Sequence, residues 1–303
     1  MTEIPDHVRR MAARRERARR VRDFPEADRL RDRIREAGFD VLDTSGGPEL
    51  APTRAANAVG ESHTYGRSED VPSLLEQAPS VEYSVQWVVQ GWPEDVERGI
   101  RSFGAGPDVQ HVVVDASGSS ARPYPGGADL VRLQPTSGWA AARNAGLRRA
   151  AGRIVVLVDG SVEAAGDVLS PLRSALEDPT VGVTGPFCLV SEDMREFRES
   201  EGPEVDAVEG YLMAFRRELV EGGLGLRFDE KFRFYRSADI EVSFQIKAMG
   251  LRATITPVPV VRHEHRMWAN TTEEERARLS KRNFYRFLDR WRGRTDLLVS
   301  NRS

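Results

Sequence analysis

Residues 134–161 read Gln-Pro-Thr-Ser-Gly-Trp-Ala-Ala-Ala-Arg-Asn-Ala-Gly-Leu-Arg-Arg-Ala-Ala-Gly-Arg-Ile-Val-Val-Leu-Val-Asp-Gly-Ser, an order that few folds accept. A loop led by Gly138 opens a short alanine-rich helix. After it, the wholly apolar run 154–158 stops at Asp159-Gly160-Ser161. Small side chains let a helix backbone lie close to a sheet and to a ligand, and a strand buried on both faces carries its terminal acid to the carboxyl edge. The order is that of a nucleotide-binding α/β domain.

The remainder of the chain agrees with this class. From Tyr83 onward, strand patterns alternate with helical ones: strands at 85–89, 111–114, 130–133 and 154–158, a helix at 93–103 with Val96, Ile100 and Phe103 on one stripe, and another carrying Val168, Leu172 and Leu176. Such alternation predicts a mostly parallel sheet with helices on both faces. Beyond Pro186 the pattern loosens into a strand at 211–215, a helix over about 238–249 and an extended run at 258–261. A last helix follows, with Thr272 and Glu275 in capping-box positions.

Two zones precede this domain. Residues 1–44 are arginine-dense and read as two helices meeting at Pro25, the second ending at Gly38, then a short extended piece at 39–43. Residues 45–82, with Pro48, Pro52, Gly60, Gly66, Pro72 and Pro79 and few large apolar side chains, read as a linker. The expected organisation is therefore a helical hairpin at 1–44, a linker at 45–82, the α/β domain at 83–270 and a C-terminal helix at 271–303 packed on it.

With 44 basic and 47 acidic residues, a net charge of −3 gives no global attraction to nucleic acid or membranes. A single cysteine, Cys188, excludes an intramolecular disulfide and suits a reducing compartment, and the N-terminus lacks an apolar leader, so the expectation is a cytoplasmic protein. The arginines of residues 7–37 are interleaved with acids, which favours a packing or self-association hairpin over an RNA-binding one. The last helix, with Lys281, Arg282, Arg286 and Arg290 beside Phe284, Phe287, Leu288 and Trp291, is read as packing on its own domain. Peripheral contact with a membrane is the alternative.

Asp115 ends the run Val112-Val-Val, where strand termini of such sheets meet ligands. A second acidic block, Phe228-Asp229-Glu230 through Ala238-Asp239-Ile240-Glu241, opens a helix, whose dipole and free amides would hold Asp239 ionised. His263 and His265 follow an extended run, and a period of two would set both on one face.

Gly138, Ala142, Arg143, Asn144 and Gly146, followed by Asp159-Gly160-Ser161, resemble the central block of family 2 glycosyltransferases, enzymes of GT-A fold in which that strand ends in Asp-x-Asp. The second block resembles their acceptor-side half, with Ala238 in place of a glutamate. The resemblance covers about residues 83–268. It implies transfer of a sugar from a nucleotide-sugar donor to an unknown hydroxyl acceptor, with inversion. Asp239 would be the base, Asp115 and Asp159 would hold the nucleotide, and Arg143 and Asn144 would shape the donor pocket. It also implies a divalent metal, Mg²⁺ or Mn²⁺, at Asp159, Ser161 and His263. Serine is a poor ligand for a hard cation, so Ser161 and Ala238 also admit a catalytically silent module that binds nucleotide-sugars. Residues 22–44 resemble the C-terminal tail of cysteinyl-tRNA synthetases, which admits a translation-linked RNA-binding role for residues 7–43.

Overall fold

The computed structural model describes residues 4–20, 23–36, 39–44, 47–52, 63–118, 123–220 and 225–301. Gly38, expected to stop the second helix, and Gly60 of the expected linker lie outside the described residues. The chain divides into two compact units, Met1–Glu61 and Ser62–Ser303.

In the first unit, α1 (Asp6–Arg20) and α2 (Phe24–Glu36) are followed by β1 (Phe39–Thr44) and β2 (Gly47–Pro52), which pair antiparallel. Asp23 accepts a bond from Glu26 N at the start of α2, and Pro25 falls in the first turn, where its missing N–H is harmless. Val8, Ala12 and Ile34 form the buried centre, with Met11, Val41 and Leu50 against it. The unit therefore continues past the expected hairpin: residues 47–52 form a strand, because Leu50 supplies an apolar group that Val41 needs opposite it.

The second unit starts earlier than residue 83. β3 (Thr64–Tyr65) pairs in parallel with a strand of the main sheet, Val71 is 1% exposed, and Leu74 N donates to Arg148 O. Residues 63–82 thus belong to the domain; their backbone groups are spent on it, although their composition is that of a linker. In order follow β4 (Val81–Val89), α3 (Pro93–Phe103), β5 (Val109–Asp115), β6 (Asp129–Leu133), α4 (Trp139–Arg148), β7 (Gly152–Val158), β8 (Val162–Ala164) and α5 (Leu169–Leu176). Then come β9 (Val181–Gly185), β10 (Cys188–Val190), β11 (Arg198–Glu199), β12 (Glu204–Val205), β13 (Ala207–Val208) and β14 (Leu212–Arg216). The unit closes with α6 (Ala238–Ala248), β15 (Arg252–Ile255), β16 (Val260–Arg262), α7 (Arg266–Asn270) and α8 (Glu273–Trp291).

Nine strands form one sheet in the order β12-β15-β9-β14-β7-β4-β5-β6-β3, and β14 is antiparallel to both neighbours. Alternation along β7 assigns its residues to two cores. Ile154, Val156 and Val158 face α3 and α5, while Val155 and Leu157 face the layer of α6 and α8. The alanines of α4 bring that helix close to β4: a Cβ on Gly146 would lie 2.1 Å from Gln86 Nε2, so any larger residue would displace the Gln86 side chain.

A fully buried ion pair ties the C-terminal segment to the sheet. Lys247 Nζ donates to Asp206 Oδ1 (2.7 Å) and to Val205 O (3.1 Å), and the same carboxylate accepts from Val299 N and Ser191 N. Among the described residues no helix is long and apolar enough to cross a membrane. Asp206→Ala would remove the carboxylate that the buried ammonium and two amides share. It should lower unfolding stability by about 3–5 kcal/mol in urea titrations of the full chain.

Candidate active site

Three parallel strands end side by side at the carboxyl edge of the sheet. β7 delivers Asp159, its neighbour β4 ends at Val89, and β5 ends at Asp115, which is in register with Val89. With one strand between them, Asp115 and Asp159 are about 10 Å apart across the edge. Asp115 Oδ1 accepts from Ser117 N (2.9 Å) and Ser117 Oγ (2.6 Å). The turn after β4 is strained, with Trp92 at φ 50° beside Gly91 at φ 135°.

Asp159 faces a cleft of about 610 Å³, whose lining also includes Glu209, Tyr211, Tyr235, Arg236, Asp239 and His265. A smaller groove lined by Gln90, Trp92, Asp95, Asp159, Ser161 and His265 runs from it to the end of β4. Two residues widely separated in sequence, Asp159 and Asp239, therefore share one cavity. Asp115 is outside its lining.

Asp159 Oδ1 accepts from Ser161 N (2.9 Å) and Ser161 Oγ (2.5 Å), and His265 Nε2 stands 3.4 Å from Oδ2. Burial opposes the charge, yet the His265 and Ser161 contacts outweigh it and hold the Asp159 carboxyl down at about 2. Ser161 is 3% exposed, and its hydroxyl is committed to that carboxylate. His265 caps α7: its Nδ1 accepts from Trp268 N, so Nε2 carries the proton directed at Asp159. The ring packs 4.5 Å from Tyr235 and edge-on to Tyr211.

His263 does not join this site. Its Nε2 pairs with Glu163 at 2.7 Å on the exposed side. Period two fails because β16 ends at Arg262 and the chain then turns into α7, so the two rings diverge. The histidine beside Asp159 is His265, not the expected His263. Among the described residues no group of three or more His, Cys, Asp or Glu is placed to hold a metal.

Asp239 occupies the first turn of α6, after Ser237 at φ 65°. Its Oδ2 accepts from Gly210 N (2.8 Å) and its Oδ1 from Ile240 N (2.9 Å). Burial raises its carboxyl above the usual range despite these bonds, so the helix start does not dominate as expected. Asn283 of α8 holds the preceding loop through Phe234 O (2.7 Å) and Arg236 O (2.8 Å). Glu241 points elsewhere: it is 1% exposed and paired with Arg290 of α8 at 2.6 Å.

Arg143 and Asn144, expected in the donor pocket, lie beneath it. Arg143 is 1% exposed, bonds Gln86 O (3.0 Å) and Val158 O (3.1 Å), and lies 5.1 Å over Trp139. Burial lowers its guanidinium to about 10. Asn144 exchanges bonds with the backbone of Phe228 and donates to Glu230, pinning α4 to the loop that leads toward Asp239. A helical residue points back toward its own sheet when the helix packs this closely, which the motif alone does not reveal. Neither Glu209 nor His265 stands among the site residues that the resemblance implies. Glu209 precedes β14, and only the β14–β7 pairing, with Asp159 N donating to Tyr211 O, brings that end of β14 to the acid turn.

Residues 112–244 match the model of Glycosyl transferase family 2. The fold is GT-A: a structure of GalNAc-T7 with UDP, GalNAc and Mn²⁺ superposes with a TM-score of 0.51 at 18% identity, covering 71% of this chain and 49% of that one. The mannosyltransferase PcManGT of Pyrobaculum calidifontis, in complex with GDP-Man and Mn²⁺, is 28% identical over 62% of this chain and 57% of its own, with a TM-score of 0.47. The chain thus spans about half the length of these glycosyltransferases. At the N-terminus, 49 residues, 16% of the chain, are 51% identical to a cysteine–tRNA ligase of Rubrobacter xylanophilus and cover 10% of it.

Arg143→Met should lower unfolding stability by about 3 kcal/mol, since two strand carbonyls lose a charged donor. Arg143→Lys should lose nearly as much, because one ammonium does not span both carbonyls. Urea midpoints check both.

Proposed function

We propose that this chain transfers a sugar, with inversion, from a nucleotide-sugar donor to a hydroxyl acceptor. The reading rests above all on Asp159 and Asp239 lining one cleft, with His265 and two tyrosines between the sheet edge and α6. The family match over residues 112–244 supports it. The nucleotide would lie along the groove at the end of β4, with Asp115 and Asp159 at its two sides. In the transfer, the acceptor hydroxyl attacks the anomeric carbon and gives its proton to Asp239. The bond to the diphosphate breaks, and its electron pair leaves on the diphosphate oxygen. A base whose burial favours the protonated form accepts that proton more readily.

A divalent metal would find a single protein ligand here, Asp159, rather than the three that the resemblance implies. Asp159 offers one ionised carboxylate, and such ions are commonly held by one or two carboxylates plus substrate phosphates. Ser161 and His263 do not fit as ligands, being committed to Asp159 and Glu163. His265, its Nδ1 taken by Trp268 N, would steady the Asp159 carboxylate. When bound, the ion would offset negative charge on the leaving diphosphate.

For the N-terminal unit we propose packing or self-association. Arg14 and Arg29 pair with Glu26, and Arg20 pairs with Glu16, which leaves less free positive charge than the composition suggests. A cytoplasmic location accords with the lone buried thiol.

A thermal-shift series with UDP, GDP and dTDP, each with and without Mn²⁺, tests the reading. One diphosphate with Mn²⁺ should stabilise the protein, by about 2.7 kcal/mol at a hundredfold excess over Kd. Asp159→Ala should abolish that shift. Asp239→Asn should keep it while lowering turnover of the matching nucleotide-sugar by about 100-fold or more. Absence of any shift, or undiminished turnover by Asp239→Asn, would overturn the proposal.

A further inference from the structure

Glu209 is a carboxylate of the cleft that the reaction so far leaves unused. Its main chain is fixed, with Glu209 N donating to Phe187 O at 2.8 Å. The next residue, Gly210, donates its N–H to Asp239 Oδ2 at 2.8 Å. A Cβ on Gly210 would lie 3.3 Å from Asp239 Cβ, so the two backbones meet where a larger residue would crowd Asp239. The Glu209 carboxylate accepts no hydrogen bond from a described residue, although the residue is only partly exposed. A half-buried, unpartnered acid next to the carboxylate read as the base has an electrostatic effect on it whatever else it does.

We propose that Glu209 is a positioning residue for the transfer: it and Asp239 form a carboxylate pair holding one proton between them, and release of that proton leaves Asp239 the stronger base. This rests on Asp239 as the base. Two like charges lining one cleft, where the Asp239 charge raises the Glu209 carboxyl, are not both favoured, so one proton remains on the pair until the pH draws it off to water. Thereafter the Glu209 charge raises the affinity of Asp239 for the proton of the attacking hydroxyl, and the diphosphate still departs with its own electron pair.

The groups around Glu209 set the balance. Burial, then the Asp239 charge, then Glu199 push its carboxyl up to about 7, while Arg262 and Arg236 pull it down without cancelling the rise. Arg262 is stacked 4.0 Å over the Tyr211 ring, and Arg236 lies 5.3 Å over Trp268, so both cations are held at the rim. The Tyr211 hydroxyl and the Cys188 thiol, both raised by burial first and with Glu209 among the further causes, stay neutral in this range. A raised carboxyl binds its proton more tightly in the folded chain, so its contribution to stability is complete below about 4.5 and is lost as pH rises through about 7.

Carbon-13 NMR of the full chain, labelled at Asp and Glu side-chain carboxyls, reads the pair directly, with Glu209→Gln assigning the resonance. The Glu209 carboxyl should titrate at about 7, and in Asp239→Asn its midpoint should fall by about one pH unit or more. Glu209→Asp, should Glu209→Gln fold poorly, identifies the same resonance. A midpoint below about 5.5, or one that Asp239→Asn does not move, overturns the pair. Turnover of the nucleotide-sugar matching the stabilising diphosphate supplies the functional arm. For the parent it should rise roughly tenfold between about pH 6 and 8, and Glu209→Gln should stay flat at the lower level. Identical profiles would remove the role of Glu209 and leave Asp239 as base. Full activity in Asp239→Asn would remove the base while the NMR pairing still stood.

Discussion

The guanidinium of Arg143 is the hinge on which the site depends. It is buried under the carboxyl edge of the sheet and bonds carbonyls of two adjacent strands, Gln86 O of β4 and Val158 O of β7. Asp159 follows Val158 immediately, so the direction in which the acid leaves the sheet is set by a cation that never reaches the cleft. The nearby Asp159 charge partly offsets what burial takes from Arg143. One buried charge thus aligns two strand ends and is itself eased by the acid it positions. The glycine at 146 adds to the arrangement, since a Cβ there would meet the Gln86 side chain of β4.

The opposite wall of the cleft is assembled from elements distant in sequence. Gly210 fixes one oxygen of Asp239, and α8 reaches back through Asn283 to hold the loop before α6. Phe197, Phe244, Phe287 and Trp291 form a continuous aromatic layer behind that loop. The α6 wall of the cleft is therefore supported by packing, whereas the Asp159 wall is supported by charge.

What the sequence displays and what it conceals follow from how local each signal is. Strands β4, β5 and β7 were legible because buried parallel strands are uninterrupted apolar runs, and α3 because Val96 and Ile100 recur at helical spacing. The strand β15, Arg252–Ile255, carries no such run, with only Ala253 buried among its four residues, and it joins the sheet through pairing with β9. Residues 63–82 look like a linker because their contribution is backbone amides given to Arg148 and Ala151 rather than apolar bulk. In the cleft, Asp159 and Asp239 announced themselves by position at a strand end and a helix start. His265 and Glu209 did not, since their roles arise from a turn after β16 and from antiparallel pairing of β14. The two residues read as donor-pocket groups, Arg143 and Asn144, show that a motif fixes residue identity without fixing which way a side chain faces.

The carboxylate of Asp206 reaches from the interior to the amide of Val299. During synthesis, the interior therefore lacks a backbone donor until residues near 299 have emerged from the ribosome, and the loop before α6 lacks Asn283 until shortly before that. A chain that stops before residue 283 would therefore present Asp159 opposite a loop that lacks its holding side chain.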